Sequence, residues 1–141
     1  DLICVALSGR AAELQEYCEA SCVISSDLAV ATNIASQLVG QLGNGPGLLS
    51  LEAAGMPTAG NLVAKVLSDE SSREAAEALM TEGSERAALM TSKYRDALLR
   101  IADGLCQSDE LEGEQIKAIV AEYTDLTERR GPVRIAPVPT A

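Results

Sequence analysis

A single carboxylate, Asp27, follows two serines and opens the apolar helical stretch SSDLAVATNIASQLV, residues 25–39. An acid in that position has two uses. Its oxygens can accept from the free backbone N–H groups of a helix's first turn and meet the positive end of the helix dipole, or they can be offered to a cation. From these residues alone the capping use has the stronger claim. Ser25 and Ser26 are capping residues too, and if one of them caps, Asp27 is free to point elsewhere.

Other chemistries are excluded by residue type. The sequence has no histidine, so neither a Ser-His-Asp nor a Cys-His arrangement exists in it. GQLGNGPG lacks the lysine of a phosphate loop and a helix after it. The neighbouring acids Asp109 and Glu110, or Glu112 and Glu114, lie in an acidic run that reads as a solvated face. Of the four cysteines, Cys4, Cys18, Cys22 and Cys106, Cys18 and Cys22 are spaced to share a helical face. Two thiols without histidine make a poor zinc site, and all four read as small buried or half-buried apolar side chains in a reducing compartment.

The elements that must position these residues are helical. Residues 2–15 carry Leu2, Ile3, Val5, Leu7, Ala11 and Leu14 and predict a buried helix interrupted at Gly9. EYCEASCVI has no period and reads as a loop or short turn. From Asp27 to Leu42, residues Leu28, Ala31, Ala35, Leu38 and Leu42 recur at steps of three and four, with Thr32, Asn33, Ser36 and Gln37 opposite. That is an amphipathic helix, ended by GNGPG. Residues 43–67 hold five glycines and two prolines and predict a long loop with at most a short strand at Leu48–Leu51.

A capping box, Ser71 with Glu74, then opens a helix through Ala75, Ala76, Leu79 and Met80. Gly83 breaks or weakens it. Ala87, Met90, Tyr94, Leu98, Ile101 and Leu105 resume the stripe, with a turn in LMTSKYRD where Ser92 caps a new helix. After the polar break CQSDELEG, residues Ile116, Ile119, Val120 and Tyr123 mark a last short helix. The tail beyond TERRGP is Pro-rich and expected to be extended. The result is an all-α fold with one long Gly/Pro-rich loop.

Bulk properties agree. A chain of 141 residues, 47% hydrophobic, buries a core without a disulfide or metal staple. Aromatics are 2%, with no Phe or Trp. Ala, Leu, Ile, Val and Met must then fill the core, which suits closely packed helices better than an antiparallel sheet. A net charge of -10 argues against a nucleic-acid partner and for a solvated surface. No apolar run is long enough to span a bilayer. The sequence begins at Asp1 without Met, which reads as a processed chain or a piece of something longer.

VALSGRAAEL followed by SSDLAVATNIASQLV resembles the peptidase domain of FtsH-type ATP-dependent zinc metalloproteases. The Gly9-Arg10-Ala11-Ala12-Glu13 segment of that family is intact, and Asp27-Leu28 and Ala31-Thr32 sit at the family's spacing. YRDALLRIADGLCQSDELEGEQIKAIV resembles the family's closing helices, so the likeness spans most of residues 2–120 and is thin across 43–67. The sequence departs from the family at Ser26, where an Asn is usual, and in YCEASCVI, which replaces a Gly-Thr-rich turn.

The resemblance implies that Asp27 is a zinc ligand, the third after two His of an HExxH helix. That helix and the ATPase module are not in this sequence. The chain alone is therefore expected neither to hold zinc tightly nor to cleave peptides. The resemblance further implies unfolded protein substrates, a homo-oligomeric ring of six, and a cytoplasmic location or attachment to the cytoplasmic face of a membrane through upstream segments. Residues 1–125 are read as the C-terminal part of the peptidase domain and 126–141 as a tail. The alternative is a non-catalytic helical module for oligomerisation or partner binding.

Overall fold

The computed structural model describes residues 1–22, 25–45, 47, 49–51 and 61–130. Six helices order them: α1 (Leu2–Tyr17), α2 (Ser25–Gly40), α3 (Leu62–Ser68), α4 (Glu70–Lys93), α5 (Arg95–Ser108) and α6 (Gly113–Arg130). No strand occurs among the described residues, and the all-α expectation holds. Of the predicted tail, 126–141, residues 126–130 belong to α6 while 131–141 lie outside the described residues, as do 46, 48 and 52–60 of the long loop, Leu48 of the predicted strand among them. The chain divides into two compact units, Asp1–Ala88 and Leu89–Ala141.

The core of the first unit is built from small side chains. Ile3, Leu7 and Ala11 of α1, Ala31, Ala35 and Val39 of α2, Val66 of α3, and Ala76 and Ala87 of α4 are buried together. Alanine and glycine at the contacts bring helix axes close, so dispersion contacts replace the bulk that aromatics would supply. At Gly40 an added Cβ would lie 2.8 Å from Leu62 Cδ1 and 3.2 Å from Val66 Cγ2, which seats α3 directly on the C-terminal end of α2. The chain after α2 folds back on the same end, with Leu51 N–H donating to the Gly40 carbonyl at 2.8 Å.

This close packing shifts the buried face of α2 only in part from the predicted one: Ala31 and Ala35 are buried and Leu38 packs against the core, as expected. Leu28 and Leu42 are exposed, and the buried line is Ala31, Ala35, Ser36, Val39 and Gly40. Ser36, expected on the polar side, is fully buried and its Oγ has no hydrogen-bond partner among the described residues. A buried unsatisfied hydroxyl costs free energy that an alanine avoids. Ser36→Ala is therefore expected to raise the melting temperature, or leave it level, in a thermal scan.

Other elements also differ from expectation. Gly9 does not interrupt α1. The supposed loop at 62–68 is α3, capped by Asn61, whose Oδ1 accepts from Val63 N–H at 3.0 Å. Gly83 neither breaks nor ends α4, because its missing Cβ is where α1 packs. The cap of α4 is not Ser71 but Asp69. Asp69 Oδ2 accepts from Ser72 N–H at 2.9 Å and from Ser71 Oγ at 3.0 Å. Those bonds, first from Ser72 and then from Ser71, hold the Asp69 carboxyl below its ordinary value of 3.8. A depressed carboxyl stabilises the fold above its unfolded pKa and loses that contribution as pH falls through the folded one. Asp69→Ala should lower the melting temperature at neutral pH, and the gap from wild type should narrow as pH falls below the ordinary carboxyl value of 3.8.

In the second unit the turn in LMTSKYRD falls at Tyr94, not Ser92, and α5 starts at Arg95. Asp109 ends α5 in the left-handed region. α6 packs along α5 and begins with a side chain reaching backwards, Gln115 Oε1 accepting from Glu112 N–H at 2.8 Å. Gly104 of α5 leaves room for Leu111, which an added Cβ would meet at 3.1 Å. Of the cysteines, Cys4 is half-buried, while Cys18, Cys22 and Cys106 are exposed, contrary to a purely apolar role.

Candidate functional site

Asp27 lies in the first turn of α2 and is half-buried. Among the described residues no hydrogen bond or ion pair to its carboxylate is found, so it is not spent on capping them. The carboxylate lies against α1 instead. A Cβ built on Gly9 would sit 3.5 Å from Asp27 Oδ2. That is an ordinary van der Waals distance, so the carboxylate lies beside α1 at this position without requiring the glycine.

The α1 face around Gly9 is unusual for a soluble helix. Leu2 and Val5, which precede Gly9 on that side at helical spacing, are 69% and 71% exposed. An apolar strip thus runs along α1 and ends at the glycine over which Asp27 is placed. One turn beyond Gly9, Glu13 receives the connection between α1 and α2. Its Oε2 accepts from Ser21 N–H at 2.7 Å and its Oε1 from Ser21 Oγ at 3.0 Å. The chain leaves α1 through Cys18, whose φ of 57° places it in the left-handed region.

Gly9, beside the Asp27 carboxylate, and Glu13, which holds Ser21, are residues that sequence reasoning did not single out for themselves. The signal was present in their i, i+4 spacing, which puts both on one helix face. Arg10, between them in sequence, points elsewhere. It lines a cleft of about 320 Å³ with Leu7, Leu28, Met80, Ser84 and Glu85. Asp27 is not among the lining residues, and the cleft is not part of this site.

As a metal centre the described residues are incomplete. Catalytic zinc takes three protein ligands. Asp27 offers one carboxylate, and among the described residues no group of three or more His, Cys, Asp or Glu side chains gathers to hold an ion. The residues here do not by themselves fit a zinc ion. Among the described residues no helix is long and apolar enough to cross a membrane.

No curated protein and no solved structure matches the chain. The model of peptidase family M41 matches residues 1–119. That span takes in the Gly9–Glu13 segment, Asp27 and the helices up to the first turns of α6. The chain belongs to peptidase family M41, the FtsH-type metallopeptidases.

Proposed function

We propose that this chain is the C-terminal part of the peptidase domain of an ATP-dependent zinc endopeptidase that degrades unfolded proteins, and that Asp27 is the third protein ligand of its zinc. The two histidines would come from an HExxH segment outside this sequence. Within this reading residues 1–125 are the peptidase part and 126–141 a tail. The whole protein assembles as a homo-oligomeric ring, in the cytoplasm or at the cytoplasmic face of a membrane.

The observation that carries the reading is the placement of the Asp27 carboxylate. Among the described residues it has no hydrogen-bond or ion-pair partner, and it is half-buried beside Gly9 and the exposed Leu2–Val5 strip. A carboxylate used only as a cap would turn back onto backbone N–H groups of its own helix. An exposed apolar strip on a helix that also carries core residues suits coverage by another helix, and the zinc-bearing helix is the segment this reading supplies. The first turn of α2 adds a dipole whose positive end complements an acid held there.

The test is metal analysis of the full-length protein after exhaustive dialysis. The proposal expects about one zinc per chain in the wild type and little in Asp27→Asn. Retention of zinc by Asp27→Asn contradicts it.

A further inference from the structure

We propose that the cleft between α1, α2 and α4 in the first unit binds a free apolar α-amino acid, with Arg10 taking its carboxylate and Glu85 its ammonium group. Its apolar walls come from three helices: Leu7 of α1, Leu28 of α2 and Met80 of α4. The volume is about 320 Å³, at the small end of the roughly 300–1,000 Å³ of small-molecule sites. That suits a compact ligand better than a peptide helix. Met80 is unbranched and polarizable, so it adapts to more than one apolar side chain. The inference goes beyond the peptidase reading and needs no metal.

The ligand class follows from the polar groups left unspent on the cleft. Arg10 is half-buried, yet its guanidinium makes no hydrogen bond or ion pair among the described residues. Glu85 lines the same cleft and makes none either. The two opposite charges do not reach each other, whereas nearby Arg86 closes on Asp1. A ligand with only an anionic head would satisfy Arg10 and meet Glu85 as a like charge, and one with only a cationic head would do the reverse. A zwitterion answers both. Its carboxylate matches the guanidinium fork with two parallel N–H···O bonds. The hydroxyls agree. Helical Ser and Thr ordinarily bond back to their own helix, as Ser8 Oγ does to the Cys4 carbonyl at 2.7 Å and Thr32 Oγ1 to the Leu28 carbonyl at 2.8 Å. Thr81 and Ser84, both on the cleft, make no such bond. Each keeps a donor and lone pairs, which serve either end of a zwitterion.

The test is isothermal titration of the full-length protein with leucine, leucinamide, N-acetyl-leucine and glycine at neutral pH. Leucine is expected to bind at about 1 mM or tighter, within the efficiency of small ligands. Leucinamide lacks the carboxylate, N-acetyl-leucine lacks the ammonium and glycine lacks the side chain. Each is expected to bind about tenfold or more weakly than leucine. Arg10→Gln and Glu85→Gln should each weaken leucine by about tenfold or more. Both should melt with the wild type, since neither side chain has a partner among the described residues to lose. Should either variant fail to fold, the four probes on the wild type decide alone. No leucine binding at about 10 mM overturns the proposal. So does leucine binding unchanged in both variants, which would put the ligand elsewhere. Leucinamide as tight as leucine overturns the role of Arg10, and N-acetyl-leucine as tight as leucine overturns that of Glu85.

Discussion

Asp27→Asn in the full-length protein is expected to abolish peptidase activity while leaving the fold intact. The amide is nearly the same size as the carboxylate, and Gly9 leaves space around it. Removing the charge takes away an anionic ligand from a dication. The loss should exceed the ~10–100-fold typical of residues that only orient a ligand. Stability should barely change, because among the described residues the carboxylate makes no hydrogen bond or ion pair that the fold would lose. The check is turnover of an unfolded protein substrate together with a melting curve. A variant that melts with the wild type but does not turn over fits the ligand role. A variant that loses several degrees of melting temperature and keeps turnover would show that Asp27 serves the helix and not the metal.

The second large effect concerns packing. Gly83→Ala puts a Cβ 2.5 Å from Ile3 Cγ2 and 3.1 Å from Ile3 Cβ. Ile3 is buried and β-branched, so it has no flexible end to move aside. Overpacking of this kind costs about 1–3 kcal/mol. Against that stands the helix preference for alanine over glycine, about 1 kcal/mol in the other direction. Packing should win, so Gly83→Ala lowers the denaturation midpoint in urea at unchanged slope, and Gly83→Leu lowers it further. A midpoint higher in Gly83→Ala than in wild type would mean that α1 does not lie on α4 at this point.

The sequence makes the helices legible because their apolar spacing is strong where side chains are large, as at Leu98, Ile101 and Leu105 or at Ile116, Ile119 and Val120. It misleads where the packing residues are small. Gly9 and Gly83 look like breaks but lie inside α1 and α4, and Gly83 marks a close approach by Ile3. Ser36 looks solvent-facing for the same reason. Its neighbours Ala35 and Gly40 carry the contact, and the serine is swept into it. The α4 cap was misplaced because Ser71 and Glu74 satisfy a capping pattern, while Asp69, two residues earlier, makes the stronger acceptor and takes the Ser71 hydroxyl for itself. Asp27 was legible as a residue of interest, but its environment was not. No sequence pattern states that the Gly9 face of α1 lies beneath it.

The most direct measurement is a crystal structure of the full-length protein with anomalous scattering collected at the zinc edge. The account predicts one anomalous peak about 2.0–2.2 Å from a carboxylate oxygen of Asp27, above Gly9, with two imidazole nitrogens completing the protein's ligands. A zinc peak coordinated without Asp27, or an Asp27 carboxylate turned back onto the N–H groups of α2, would contradict it.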